Sequence, residues 1–333
     1  CKSYIINKKQ YEFVSHKSKY NYLKKTNHEK FFNTLLLFIA LTACQGQKID
    51  MALHLEKGKE YSQSLNSQAT VVQDINGLQM NILMLIKGGM SYVVVAVNPY
   101  DYDLEVKYTN LSMTMELPSQ GKIEFSSDNA HEQDIFSTLL SKMIGKTFNV
   151  TMAKNGKILE VKNIESLIES LFEEYTTHIP EEQLAQIKEQ ITKAYGAEAF
   201  KGNIEMTSAI FPDKPVNKGD TWTITTNLQS GIAALITTEY ELADFDSTYA
   251  IITGNSVIKT EDTDIEANDM PVKYDVTGSM ISEIKINKET GWIIEANIKQ
   301  EIEGDAYVQG NPQFPHGIKI PMIMKSTTTI TGE

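Results

Sequence analysis

Residues 272–308 read VKYDVTGSMISEIKIN, then KETG, then WIIEANIKQEIEGDAYV. Two arms, Val272–Asn287 and Gly291–Val308, are rich in apolar–polar alternation and meet at Lys288-Glu289-Thr290-Gly291. Strands of this length suit a strongly curved antiparallel sheet or a partial barrel, because twist accumulates along them. Downstream, Ile320–Thr331 is the strand that could close such a sheet. Upstream, Ile204–Phe211, Thr221–Leu228, Leu235–Leu242 and Thr248–Thr253 read as further strands separated by turn clusters.

The middle of the chain has a helical period instead. Asp128 or Asn129 is expected to cap a helix carrying Ile135, Phe136, Leu139, Leu140, Met143 and Ile144, stopped by Gly145. A hairpin follows, Phe148–Met152 and Lys157–Val161 about Asn155-Gly156. Asn163 is then expected to cap the clearest helix, with Ile164, Leu167, Ile168, Leu171, Phe172 and Tyr175 on one face and Glu165, Glu169, Glu173 and Glu174 opposite. Pro180 opens a third helix bearing Leu184, Ile187, Ile191 and Tyr195, ended by Gly196.

The first part is strand-rich. Tyr61–Gln73 and Leu78–Ile86 flank the turn Asn76-Gly77, and Tyr92–Val97 is rich in β-branched residues. In Leu104–Leu117 the apolar face slips by one residue at Thr109-Asn110, as a β-bulge produces. The expected fold class is α+β: a large curved antiparallel sheet or partial barrel, with a central insertion of about three helices packing on it. The expected partition is 1–22 as an over-extended reading frame, 23–43 as a signal peptide, and 44–56 as a polar tether. A single domain over 57–333 follows, with strands in 57–128, a helical middle in 129–200 and strands in 201–333.

The signal reading rests on Lys24 and Lys25, the apolar stretch Leu35–Leu41, and small residues before Cys44. A membrane-spanning helix needs roughly 20 apolar residues, so this stretch is too short to be one. Leu41-Thr42-Ala43-Cys44 resembles a lipobox. The resemblance implies cleavage between Ala43 and Cys44 and attachment of lipid to Cys44. Gln45 follows the cysteine rather than an inner-membrane-retaining Asp, so the outer membrane is the expected address.

Charge narrows the function classes. Residues 1–43 carry eight Lys against Glu12 and Glu29, so a net charge of −12 for the whole chain leaves −18 on 44–333. A body this acidic repels phosphate backbones, and the chain has no Arg for bidentate phosphate or guanine recognition. Nucleic acid is therefore excluded as a partner. Cys1 and Cys44 are the only cysteines, so the body must be held by its core rather than by disulfides.

Ile210-Phe-Pro-Asp-Lys-Pro-Val-Asn-Lys-Gly-Asp-Thr-Trp222 fits the pattern FP-x-x-PV-x-x-GD-x-W. Together with L-x-L-x-x-G-x-x-Y over Leu53–Tyr61, it resembles the uncharacterised Bacteroidetes envelope lipoproteins grouped as a domain of unknown function. In that resemblance Leu53–Tyr61 is the first strand, and no functional residue carries over. The motif also has a structural explanation. Pro212 and Pro215 stiffen a crossing, Gly219-Asp220 turns, and Trp222 buries a ring.

Candidate chemistry is thin. Ser119-x-x-Lys122 and Ser127-Asp128-Asn129 match two penicillin-binding-protein signatures, but at the wrong separation and without a Lys-Thr-Gly. The acidic loop Asp262–Asp269 lacks the Gly and Glu of a calcium-binding EF-hand. His54, His131, His178 and His316 are scattered and form no zinc spacing. No metal, cofactor or catalytic set is expected. Met80, Met84, Met90, Met113, Met115, Met143, Met152 and Met280 fall on apolar faces, which suits core filling or an adaptable surface. The leading expectation is a non-enzymatic envelope lipoprotein that binds an apolar ligand or a protein partner. A polysaccharide hydrolase acting through an Asp/Glu pair and a structural assembly subunit are the alternatives.

Overall fold

In a computed structural model, the structure describes residues 48–75, 77–118, 121–130, 134–175, 180–230, 232–260, 264–267, 270–310 and 316–333. Thirteen strands form one antiparallel sheet among these residues. They are β1 (Glu60–Ile75), β2 (Leu78–Val97), β3 (Asp101–Leu117), β4 (Gly121–Ser126), β5 (Thr147–Ala153), β6 (Ile158–Lys162), β7 (Thr221–Ser230), β8 (Ile232–Phe245), β9 (Tyr249–Thr260), β10 (Asp264–Ala267), β11 (Met270–Asn287), β12 (Ile293–Val308) and β13 (Ile318–Gly332). The order is β6-β5-β3-β2-β1-β13-β12-β11-β9-β8-β7, with β4 on β3 and β10 on β11. Four helices sit between β4 and β7: α1 (Ile135–Met143), α2 (Ile164–Phe172), α3 (Glu181–Tyr195) and α4 (Ala197–Ser208). The fold class is the expected one, a large unclosed antiparallel sheet with a helical insertion packed on it.

The hairpin of residues 272–308 is the β11–β12 pair, in register from Val272↔Val308 to Ile284↔Ala296. β13 does not seal a barrel. It pairs with β1 on one side and β12 on the other, joining the first strands to the last. The outermost strands, β6 and β7, stay apart, and α4 packs against both. The bulge expected at Thr109-Asn110 is present, because Gly89 pairs with Asn110 and Met90 with Tyr108. A side chain at Gly89 would collide with the Thr109 hydroxyl and the Asn110 amide, so glycine makes room for the extra residue.

Three expectations are corrected. Ile204–Phe211 is not a strand. Ile204–Ser208 is the last turn and a half of α4, and only Ala209–Phe211 leave the helix. Tertiary bonds decide this: buried Glu205 accepts from the Ile158 amide at 2.8 Å, and the Ser208 hydroxyl donates to Gly156 O at 2.6 Å. Both lock α4 onto the β5–β6 hairpin. Asp128 and Asn129 do not cap α1. Both amides are bound by Ser126 in a tight turn, and Asp134 caps the helix through the Ser137 amide at 3.1 Å. Asn163 precedes α2 with φ of 67° and makes no side-chain cap.

The third correction concerns 48–56, read as tether and, from Leu53, as first strand. Met51, Leu53 and Leu55 are buried. Ile49 bridges Val216, the Leu53 amide donates to Lys154 O, and the His54 amide to Thr290 O. The segment is a strap across the end of the sheet that carries the β5–β6 and β11–β12 turns. The Tyr102 hydroxyl holds it, donating to Leu53 O at 2.7 Å and accepting from the Leu55 amide at 3.2 Å. Alternate apolar residues looked like a polar tether because Lys48, Asp50, His54 and Glu56 interrupt them. Lys48–Glu333 form one compact unit. Cys44 and Ala43 lie outside the described residues, as do Cys1, His131 and His178.

Candidate apolar site

Each strand gives one face to the core and the helices, and the other to solvent. On β12 the outer positions are Glu295, Asn297, Lys299, Glu301, Glu303 and Asp305, while Ala296, Ile298, Gln300, Ile302, Gly304 and Ala306 face inward. A transmembrane barrel needs an apolar outward band, whereas the outer positions of β12 are charged or polar from Glu295 to Asp305. No described helix is long and apolar enough to cross a membrane.

The inner face has two ends of different character. At the strap end the aromatic rings interlock: Trp292 lies 5.1 Å from Tyr61 and 5.2 Å from Tyr92, and its indole donates to Ser62 O at 3.0 Å. Tyr108 packs on Phe148 and Tyr195, and Phe148 on Phe200, which brings α3 and α4 onto the sheet. Burial pushes the Tyr92 and Tyr108 hydroxyls far above their ordinary range and Tyr240 up to about 12. These phenols are structural neutral groups.

At the other end the register stacks four rows across β2, β1, β13 and β12. They are Ile86–Ser67–Thr328–Ile298, Met84–Ala69–Ser326–Gln300, Ile82–Val71–Met324–Ile302 and Met80–Gln73–Met322–Gly304. Met113 and Met115 of β3 extend the two rows headed by Ile86 and Met84. Met80, Ile82, Met84, Met113, Met115 and Met324 are only half-buried, and Ile86 is 37% exposed. The methionines thus divide. Met143, Met152, Met280 and Met322 are buried, whereas Met80, Met84, Met113, Met115 and Met324 line an apolar surface that is only half-buried. Flexible thioethers suit apolar ligands of varied shape.

The cavities elsewhere mix charged and apolar linings. A cavity of about 260 Å³ lies in the seam between β7 and the β5–β6 turn, lined by Lys157, Glu205, Phe211, Asp213 and Trp222. Here the motif explains itself. The Trp222 indole donates to Ile210 O at 2.9 Å and stacks on Tyr240 at 6.0 Å, while Asp220 accepts from the Asn217 amide at 2.8 Å. A groove of about 500 Å³ on the outer face, at the methionine end, is lined by Asp74, Asp275, Glu303 and Pro321. Glu60, Asp220, Asp244 and Asp246 are each held below the ordinary carboxyl range by hydrogen bonds. A glycosidase acid needs a shift in the opposite direction.

The matched signatures dissolve in the same way. Lys122 pairs with Glu124 at 2.6 Å, and the Ser127 hydroxyl accepts from the Leu111 amide at 3.1 Å. Ser119 lies outside the described residues, as do Asp262, Thr263, Asn268 and Asp269 of the acidic loop, whose centre is β10. No group of three or more His, Cys, Asp or Glu able to hold a metal occurs among the described residues.

A family model matches residues 100–293, from just before β3 to the first residue of β12. The chain belongs to DUF6263, a family of unknown function. The matched span includes the Ile210–Trp222 motif and excludes the Leu53–Tyr61 pattern. No curated relative matches the sequence. Among solved structures, this DUF6263 member is similar to one titled for lipid–protein interactions in lipovitellin, at 10% identity and a TM-score of 0.45, over 84% of this chain. It spans a quarter (25%) of the lipovitellin chain. The COG4313 outer membrane channel from Pseudomonas putida F1 matches at 6% identity and a TM-score of 0.23, over 84% of this chain and 97% of the channel. A DUF1329 family protein from Desulfovibrio piger ATCC 29098 matches at 8% identity and a TM-score of 0.14, over 91% and 90% of the two chains. Likeness of this degree transfers no function.

Sequence reading found the methionines but not their division, and it missed Trp292, Glu205 and the strap. Alternation marked Met84 and Met280 alike, since both face inward. Only the strands stacked around each decide which is sealed.

Proposed function

We propose that this protein is a non-enzymatic envelope lipoprotein, anchored through lipid on Cys44 in the outer membrane, whose methionine-lined end binds an apolar ligand. One observation carries the binding role: half-buried Met80, Met84, Met113, Met115 and Met324 converge on the inner face of β2, β3 and β13. Core methionines in the same sheet are sealed, so composition alone does not explain the exposure. Exposed apolar area of this kind is costly in water and marks a binding surface in soluble domains. The lipobox supports the anchor, and two acyl chains would make attachment effectively permanent.

The test is binding of an environment-sensitive apolar dye to the detergent-extracted protein. Saturable binding to the parent, weakened at least about tenfold by Met115→Asp with the melting transition retained, is the expected result. Dye binding that the substitution leaves untouched would remove the site. The anchor is tested separately: intact mass should carry the acyl lipid, and Cys44→Ala should release the protein from membranes.

A further inference from the structure

The inner face of the sheet bears no charged side chain at any described strand position whose side chain is placed. Its polar groups are all neutral, and several lie beside the methionines. Ser67 and Thr328 share a hydrogen bond at 2.7 Å, one row from the Ser326 hydroxyl, which donates to Gln300 Oε1 at 3.3 Å.

We infer that the ligand is an uncharged amphiphile, a neutral lipid with hydroxyl, ester or carbonyl oxygens. The inference rests on the apolar-ligand reading above and narrows it. A carboxylate or phosphate drawn against this face would lose water and meet no counter-charge, which disfavours it. A bare hydrocarbon would meet the methionines but leave the hydroxyl and amide row unused. Hydroxyls and a carboxamide can donate to or accept from an ester or alcohol without any charge. Outside, Asp74, Asp275 and Glu303 surround the groove at the same end and repel approaching anions.

Dioleoylglycerol and dioleoylphosphatidate share acyl chains and differ in the phosphate, so they isolate the claim. The detergent-extracted full protein would be mixed with equimolar amounts of both and examined by native mass spectrometry. The dioleoylglycerol adduct should exceed the phosphatidate adduct by at least about tenfold. Equal adducts, or an excess of phosphatidate, would overturn the inference while leaving apolar binding intact. Absence of both adducts, together with no dye binding, would remove the site and the inference with it. Met84→Lys places a cation on the half-buried row and should swing the ratio toward phosphatidate by a similar factor. An unchanged ratio in a variant that still melts cooperatively would also count against the assignment.

Discussion

The strap end and the methionine end are built from the same strands, yet one is sealed and the other is wet. At the strap end, Tyr92, Leu104, Val106 and Phe148 are almost wholly buried because residues 49–56 and the helices lie over them. At the methionine end, Met84 of β2 and Met115 of β3 keep the same inward orientation and remain half-exposed. Orientation relative to the pleat is thus only half of burial. The other half is what the chain brings across that face. Stability should reside at the sealed end, and ligand selectivity at the open one.

Substitutions can break this division. The largest effect is expected for Trp292→Ala, which removes the ring between Tyr61 and Tyr92 and leaves Ser62 O only the Glu333 amide at 3.3 Å; a loss of about 3–5 kcal/mol in denaturant unfolding follows. Leu53→Ala should cost about 2–4 kcal/mol, because a packed strap loses a buried side chain. A free tether would lose nothing, so an unchanged midpoint contradicts the strap. Glu205→Ala should cost about 1–3 kcal/mol by leaving the Ile158 amide buried without an acceptor, with Glu205→Gln retaining most of it. By contrast, Met84→Leu at the open end should shift stability by less than about 1.5 kcal/mol while altering lipid binding. Thermal melts run beside native mass spectra would separate the two effects.

The smallest expected effect concerns pH. Asp246 accepts from the Thr248 and Tyr249 amides, which holds its carboxyl below its ordinary 3.8. A lowered folded value means the contribution is present above the unfolded value and disappears as pH falls through the folded one. Asp246→Asn should therefore be slightly less stable than the parent at neutral pH. The difference should start to shrink below about pH 4 and vanish once pH is under the folded value, and a gap that persists in that acid range would assign the loss to something other than charge.

Local chemistry made much of the fold legible. The Asn155-Gly156 turn, the long 272–308 hairpin and the Thr109 bulge each leave a pattern within a few residues of themselves. The misread pieces share a cause. Ile204–Phe211 has apolar residues at both strand and helix spacings, and Glu205 and Ser208 settle the matter by bonding to a hairpin about fifty residues away. The strap resembled a polar tether until Tyr102 and Val216 supplied partners for its backbone. Partners that distant leave no local trace.

The amino-acid sequence by itself determined the alternating faces and most of the turns, because period and side-chain polarity are properties of neighbours in the chain. Which inward residues are sealed and which stay open was decided only by the tertiary structure. Burial depends on what crosses a face, and β13 bonding to β1, α4 bridging β6 and β7, and the strap over the turns are all contacts between residues far apart in sequence.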